Sequence, residues 1–310
     1  MYNGVIIVNK EAGFTSHDVV AKLRGILRQK KIGHTGTLDP DATGVLPVCL
    51  GHATKLCDML TDKDKTYEAV MLLGQATDTQ DTSGKVISET DVHDLRKNTD
   101  TLTDDKITEA ILGFVGTYSQ IPPMYSALKV NGKKLYELAR EGIEIERKPR
   151  EVYINSIDNI SIDFPKVTMT VSCSKGTYIR TLCNDIGEKL GCLACMDKLK
   201  RTQVSTFTIE EAMTLDEINE LVKEKNCIDN HIISVEEIFE IYRAVNTKEE
   251  FDKYIYNGNS LKADMVKMSD ERPLEHEEKF RLYDSKGLFM GIFVYKKNEN
   301  MFKVEKMFLN

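Results

Sequence analysis

Residues 33–47 read GHTGTLDPDATGVLP. Their three glycines and two prolines predict a turn-rich loop, and the apolar run 45–50 is typical of a buried strand. One carboxylate, Asp39, stands between glycine-flexed turns and before a proline that restricts its backbone. Such a loop can hold a carboxylate rigidly at the edge of a strand, as a nucleophile or general base requires. The spacing alone equally allows an aspartate that only caps a turn.

Other kinds of site are less well supported by the motifs. The loop lacks the Gly-Lys-Ser/Thr ending of a phosphate-binding loop, and the chain shows no dinucleotide fingerprint. His34, Asp39 and Asp41 could contribute to a metal site, but no HxxxH motif or second carboxylate cluster supports one. Cys192 and Cys195 form a CxxC motif without a second pair. We therefore predict no metal site and reduced cysteines, as in a cytosol.

The charge of the chain is unevenly distributed. A net charge of −7 over 310 residues argues at first against a nucleic-acid partner. The net charge is +2 over residues 1–60, −6 over 61–119, +4 over 120–201 and −7 over 202–310. Because screening limits each charge to about 8–10 Å, a polyanion can still bind a locally basic face. The apolar runs are too short to span a bilayer and no signal peptide opens the chain, so we expect a cytoplasmic protein without a membrane partner.

The periodicity of apolar residues predicts an α+β protein in two domains. We place the domains at 1–245 and 246–310, the second being small and rich in β-structure. Residues 120–150 form a long irregular segment between strands, which is typical of a functional insertion. The predicted strands are 2–9, 45–50, 66–74, 166–173, 280–283, 291–295 and 302–308. The predicted helices are 18–27, 53–60, 106–115, 134–141, 178–190, 206–224 and 234–242.

Two further elements combine an aromatic with a basic side chain. Lys65 and Tyr67 begin a predicted strand, whereas Tyr178 and Arg180 lie where a strand ends and a helix begins. A tyrosine on a rigid element can stack on a base, and a nearby cation can hold phosphate or neutralise a carboxylate. Taken alone, each tyrosine is more simply interpreted as a half-buried aromatic residue with no role in binding. Together with Asp39 they favour a site that handles nucleotides.

In this order and spacing, the motifs resemble the TruB family of bacterial tRNA pseudouridine synthases. The similarity runs over residues 2–215 and is carried by GVIIVNKEAGFTS (4–16), the loop 33–47, GHATKL (51–56), 65–74, 120–140, 174–182 and LKRT (199–202). It implies a mixed, largely antiparallel central sheet flanked by helices and loops, with a PUA-like RNA-binding domain at 246–310. It also implies that 120–150 closes over the RNA. The implied reaction isomerises uridine 55 in the T loop of tRNA without any cofactor.

The resemblance assigns the central residues of this site. Asp39 matches the catalytic aspartate and Arg180 the arginine that pairs with it. Tyr67 matches the tyrosine that packs on the target base, and Tyr178 a second tyrosine of the substrate pocket. The target nucleotide is expected to flip out of the T loop. Asp39 then attacks C6 of uracil or C1′ of ribose, or removes the C2′ proton, and the sequence does not choose among these routes. We expect Arg180 to lower the pKa of Asp39, and the Tyr67 hydroxyl is a candidate base for the C5 proton.

Four further residues are implied to bind substrate. His34 matches a histidine that holds the displaced nucleotide, Leu199 a pocket leucine, and Lys10 and Lys55 basic residues near the site. Two positions depart from the family pattern. Glu11 stands where proline is usual, and Cys195 where histidine is common.

The expected partner is the T-arm stem-loop of tRNA, bound by a monomer without an obligate protein partner. One alternative is a non-catalytic protein that binds or folds RNA on the same scaffold. The intact carboxylate, arginine and tyrosines argue against it. A second alternative is a guide-dependent relative that acts on ribosomal RNA. The insertion 120–150 favours the stand-alone tRNA enzyme, because it supplies contacts to RNA that partners supply in the guide-dependent relatives.

Overall fold

The computed structural model describes residues 1–130, 132–224 and 228–308. Asn131 of the predicted insertion and the last two residues of the predicted second domain therefore lie outside the described residues. The helices are α1 (Ser16–Ile26), α2 (Cys57–Thr61), α3 (Val92–Asn98), α4 (Asp104–Leu112), α5 (Leu135–Arg140), α6 (Ile179–Leu190), α7 (Leu215–Lys223), α8 (Val235–Ile238) and α9 (Asp252–Tyr256).

Strands make up two main sheets and two short hairpins. The strands are β1 (Gly4–Lys10), β2 (Ile32–His34), β3 (Thr43–Leu50), β4 (Lys65–Leu73), β5 (Gln75–Thr77), β6 (Val86–Glu89), β7 (Gly116–Gln120), β8 (Lys129–Val130), β9 (Lys133–Lys134), β10 (Arg150–Asp163), β11 (Lys166–Cys173), β12 (Ala194–Val204), β13 (Phe207–Thr208), β14 (Arg243–Thr247), β15 (Leu261–Lys262), β16 (Val266–Met268), β17 (Lys279–Tyr283), β18 (Phe289–Lys296) and β19 (Met301–Met307).

The larger sheet has the order β1-β3-β12-β4-β11-β10-β7, with β2 beside β3 and β13 beside β12. Neighbouring strands are antiparallel except β3 and β12, which run parallel where Gly44 faces Arg201. A Cβ on Gly44 would lie 2.1 Å from the Arg201 carbonyl oxygen, and its φ of +102° also favours glycine. The predicted mixed, largely antiparallel α+β fold is therefore confirmed.

Alternating burial explains how the central strands carry both core and site. Along β4, Tyr67, Ala69 and Met71 point into the largest apolar cluster, while Glu68 between them is exposed. Leu182 and Ile186 cover the same cluster from α6, which contacts β12. The side chains on this one face are consequently fixed by packing rather than by loops.

Two predicted helices are much shorter than the pattern indicates. Within 206–224, Phe207 is buried and pairs with β12, and the helix α7 begins only after Thr214, whose hydroxyl accepts from the Glu217 backbone N–H. Within 234–242, α8 ends at Ile238, because Arg243 already belongs to a strand. Apolar residues at helical spacing therefore reflected burial against the sheet at these positions.

The C-terminal unit is rich in β-structure, as predicted for a PUA-like domain. Its six-stranded sheet has the order β15-β19-β18-β17-β14-β16 around a core that contains Phe280, Phe293 and Phe302. The sheet begins with Arg243, so the boundary predicted between 245 and 246 falls inside β14.

The C-terminal unit shares apolar packing with the first strand of the chain. Phe308 and Ile292 join a buried cluster with Val5 and Ile7 of β1. The Lys55 ammonium adds a polar link, since it donates to the Met307 carbonyl at 3.1 Å. Among the described residues, no helix is long and apolar enough to cross a membrane.

Candidate active site

Asp39 lies in a loop between β2 and β3 that is fastened to its surroundings by the backbone. The Leu38 N–H donates to the buried Ser16 hydroxyl at 2.9 Å, and the Ala42 N–H closes a turn onto the Asp39 carbonyl at 3.1 Å. At the outer end, the Thr35 N–H donates to the Pro47 carbonyl at 3.1 Å. These bonds hold the Asp39 backbone from both sides, as a reacting carboxylate requires.

Lys10 holds the same loop through its ammonium group. Its side chain is fully buried, and its ammonium donates to the carbonyls of Glu11 at 2.9 Å, Phe14 at 2.7 Å and Pro40 at 2.8 Å. Burial lowers the pKa of Lys10 to about 8. Because all three donors are used, Lys10 ties the turn after β1 to the residue next to Asp39.

Arg180 forms the centre of a buried ion-pair network. Its Nε lies 3.1 Å from Oδ2 of Asp39, and its Nη2 lies 3.4 Å from Oδ1 of the same carboxylate. Nη1 lies 3.3 Å from Asp81 and donates to the Thr79 carbonyl at 3.1 Å, while Nη2 also donates to the Tyr125 carbonyl at 2.8 Å. The predicted pair of Arg180 with Asp39 is present, with the planar fork geometry that only arginine offers.

Arg180 lowers the pKa of Asp39, as predicted, but a larger influence acts in the opposite direction. The side chain keeps 40% of its surface exposed, yet the surrounding protein displaces part of the water around the carboxylate. This desolvation raises the pKa of Asp39 above its ordinary value, and the neighbouring Asp81 adds to the rise. Arg180 and Lys10 oppose the rise without cancelling it.

The two predicted tyrosines both lie near enough to Asp39 for its charge to act on their hydroxyls. Tyr67 is 8% exposed on β4, and Tyr178 is half-buried at the start of α6. Burial, reinforced by the nearby Asp39 charge, raises the pKa of both hydroxyls. Gln120 fixes Tyr178 through two bonds, since its amide donates to the Tyr178 carbonyl at 3.0 Å and accepts from the Tyr178 N–H at 2.8 Å. Leu199, half-buried on β12, packs against the same apolar cluster as Tyr67.

The two remaining predicted residues, His34 and Lys55, make their contacts outside the Arg180 network. His34 ends β2, and its Nδ1 lies 3.1 Å from the Gly36 carbonyl oxygen. Its ring meets that of exposed His17 edge to face, with 5.1 Å between the centroids, and burial lowers the pKa of His34. Lys55 donates to Met307 of the C-terminal unit and therefore lies at the domain junction. The structure brings together other predicted residues of the site, namely Asp39, Arg180, Tyr67, Tyr178 and Lys10.

Three residues of the site were missed from the sequence. Asp81 follows the predicted strand 66–74 in a polar stretch without distinguishing spacing. Gln120 was considered only as the start of the insertion, and Arg201 only as part of LKRT. No local pattern singled out Arg201, since β12 lacks a regular alternation of apolar and polar residues. The described part of the chain holds no group of three or more His, Cys, Asp or Glu residues suited to a metal ion.

Comparison with known proteins agrees with this geometry. Residues 24–179 match the model of the N-terminal domain of TruB family pseudouridylate synthase. The chain belongs to the TruB family. Residues 180–240 match the model of the C-terminal domain of tRNA pseudouridylate synthase B. The family models thus cover Asp39, both tyrosines, Arg180 and Leu199, whereas the six-stranded C-terminal sheet, which starts at Arg243, lies beyond them.

Individual TruB family relatives match over almost their whole length. A tRNA pseudouridine synthase B of Lachnoclostridium phytofermentans is 53% identical, with 99% of this chain and 100% of that protein covered. One of Clostridium perfringens is 46% identical, with 99% of each covered. A solved H/ACA ribonucleoprotein bound to a substrate RNA containing 2′-deoxyuridine superposes with a TM-score of 0.71 at 25% identity, covering 99% of this chain and 85% of that chain.

Proposed function

We propose that this protein isomerises uridine to pseudouridine in tRNA, at position 55 of the T loop, with Asp39 as the catalytic residue. The observation that carries the proposal is the two-pronged contact of Arg180 with Asp39, at 3.1 and 3.4 Å, on a loop fixed by Lys10 and Ser16. The names of the TruB relatives, tRNA pseudouridine synthase B, support the choice of substrate.

The chemistry follows from the placement of these groups. The target nucleotide leaves the T loop and enters the pocket. Unstacking the base costs a few kcal/mol, and contact of the base with Tyr67 and Leu199 offsets this cost. Arg180 holds the Asp39 carboxylate in one orientation toward the nucleotide. The bond between N1 and C1′ breaks, the uracil turns, and C1′ is joined to C5. The proton at C5 is then removed, for which Tyr67 is the candidate base.

Several residues around this centre have supporting roles in the proposal. Tyr178 lines the pocket and His34 contacts the nucleotide displaced from the loop. We propose that Lys10 positions the Asp39 loop rather than touching substrate, because its donors are all engaged, and that Lys55 joins the two domains. The insertion 120–150 closes over the RNA, its Tyr125 carbonyl already contacting Arg180. The C-terminal unit from 246 onward binds RNA outside the T loop.

The function is tested with purified protein and a tRNA transcript that carries tritium at C5 of its uridines. Formation of pseudouridine releases tritium to water, and chemical mapping of the product locates the modified position. We expect release of one tritium per tRNA, at position 55, with no added RNA or protein. Binding without release would support the non-catalytic alternative, and release only with a guide RNA and its proteins would support the guide-dependent one. Gel filtration of the active sample tests the proposed monomer, and cell fractionation its cytoplasmic location.

Substituting phenylalanine for Tyr67 separates stacking from proton transfer. Tyr67→Phe keeps the aromatic face and loses the hydroxyl, so we expect tRNA affinity to be unchanged. The single-turnover rate of tritium release should fall about 10²-fold, the usual size of a general-base contribution. A rate close to that of the unaltered protein would remove the hydroxyl from the role of base.

The raised pKa of Asp39 predicts the pH dependence of the reaction. Because the ionised carboxylate is the reactive form, the single-turnover rate should fall on acidification through a pH above the ordinary aspartate range. Asp81→Asn removes a neighbouring negative charge that raises this pKa, so its acid limb should move to lower pH. The measurement is the rate of tritium release between about pH 4 and pH 8. An acid limb that stays in place in Asp81→Asn would contradict the electrostatic coupling.

A further inference from the structure

Arg201 is a cation buried beside the candidate active site. Its side chain lies in the middle of the larger sheet on β12 and is only 1% exposed. Within the described ranges, no carboxylate forms an ion pair with it, in contrast to Arg180 with its two partners. Nε donates to the Val45 carbonyl at 2.8 Å, whereas buried Nη2 has no hydrogen-bond partner among the residues that the structure describes. An unpaired buried charge is costly, so its presence beside the site calls for a functional explanation.

The sheet register places this guanidinium against Tyr67. Arg201 on β12 is the direct cross-strand partner of Tyr67 on β4, and directly opposed residues present their side chains on the same face. The guanidinium is close enough to the Tyr67 phenol for its charge to lower the pKa of that hydroxyl. On its other side it contacts β3, where Gly44 and Val45 end the loop that carries Asp39. Arg201 therefore connects the tyrosine and the aspartate loop.

We propose that Arg201 is a positioning residue that acts on the reaction through the Tyr67 hydroxyl, by holding the phenol oxygen and stabilising negative charge on it. This inference rests on the proposed function and adds to it a residue with an electrostatic role. Burial raises the pKa of Tyr67, and the Arg201 charge is the leading influence in the opposite direction. Without that cation, a phenolate in so apolar a place would be strongly disfavoured.

The proton transfer balances with Tyr67 as the acceptor. After C1′ is joined to C5, that carbon carries both C1′ and a hydrogen. The hydrogen leaves as a proton to the phenolate oxygen of Tyr67, which becomes a phenol, and the electron pair of the C–H bond re-forms the double bond between C5 and C6. The electron pair of the C6–N1 double bond moves to N1, which takes a proton from solvent, and Tyr67 returns its own proton to solvent, so the product is an isomer of the starting uridine. The positive charge of Arg201 lies next to the oxygen that accepts the proton.

A double-mutant cycle tests this link by single-turnover tritium release and by tRNA binding. We expect Arg201→Met and Tyr67→Phe each to lower the rate about 10²-fold, with tRNA affinity unchanged. The double variant should also lie about 10²-fold below the unaltered protein, because both changes remove the same interaction; independent effects would multiply to about 10⁴-fold. Arg201→Lys keeps the charge and should recover part of the lost rate.

Controls separate this role from general support of the fold. Lys198→Met changes an exposed side chain on the same strand and should leave the rate unaltered. If Arg201→Met unfolds at the assay temperature, Arg201→Lys and its combination with Tyr67→Phe complete the cycle. Multiplying effects in the double variant, or a normal rate in Arg201→Met, would overturn the proposal for Arg201 while the unaltered protein still forms pseudouridine. Absence of tritium release from the unaltered protein would instead overturn the proposed function.

Discussion

Asp39→Asn should lower the rate of pseudouridine formation by about 10⁴-fold or more, the size seen when a reacting side chain is removed from an otherwise intact site. The amide has nearly the volume of the carboxylate, so the loop held by Ser16 and Lys10 should keep its shape. What is lost is the reacting negative charge that Arg180 orients. Because the surfaces that contact RNA are unchanged, the affinity for tRNA should stay within a few-fold of the original.

The matched control for this variant is Asp41→Asn. Asp41 lies two residues along the same loop and is exposed, outside the ion-pair network of Arg180. Its loss of charge should leave single-turnover tritium release close to normal. Equal losses in the two variants would point to a general effect of loop charge, and a normal rate in Asp39→Asn would remove Asp39 from the chemistry.

Arg180→Met should affect stability and activity together. The arginine is 6% exposed and contacts two carboxylates, so its removal leaves the charges of Asp39 and Asp81 without their partner. Breaking a buried ion pair in this way costs about 3–5 kcal/mol in the free energy of unfolding. The rate should fall by at least about 10³-fold, because Asp39 also loses the group that orients it. Urea unfolding and single-turnover tritium release measure the two effects.

Arg180→Lys distinguishes charge from geometry in this network. A lysine keeps the positive charge but cannot contact Asp39 through two nitrogens while a third reaches Asp81. Relative to Arg180→Met, the free energy of unfolding of Arg180→Lys should therefore recover more than its single-turnover rate of tritium release does. A variant with methionine at 180 that is as stable as the unaltered protein would show that the two aspartates are solvated rather than held by the arginine.

The parts of the fold that the sequence predicted well are those where the pattern and the burial coincide. β4, β11 and α6 have one apolar face each, and their predicted bounds lie within a residue or two of the observed ones. β10 and β12 were not predicted, because long strands with many polar residues lack a clear alternation. Their place in the sheet depends on neighbours that are distant in the chain, which no local pattern contains.

The site shows the same division. Asp39, Arg180 and the two tyrosines were found through local motifs and family resemblance, and the structure brings these four together. Asp81 and Arg201 act through partners about 100 or more residues away, so their spacing in sequence carried no information. The pKa of Asp39 was predicted only in part for a related reason: the arginine that lowers it could be read from the motif, whereas the desolvation by surrounding protein that raises it could not.

The packing of Phe308 beside Val5 and Ile7 bears on how the chain matures during synthesis. The first strand leaves the ribosome long before the segment that completes its apolar surroundings. Until residue 308 emerges, the apolar cluster on one side of β1 and β3 lacks its last members, and incompletely buried apolar surface of this kind attracts chaperones. A ribosome stalled shortly before this point should consequently carry a nascent chain whose N-terminal half is still open to proteases.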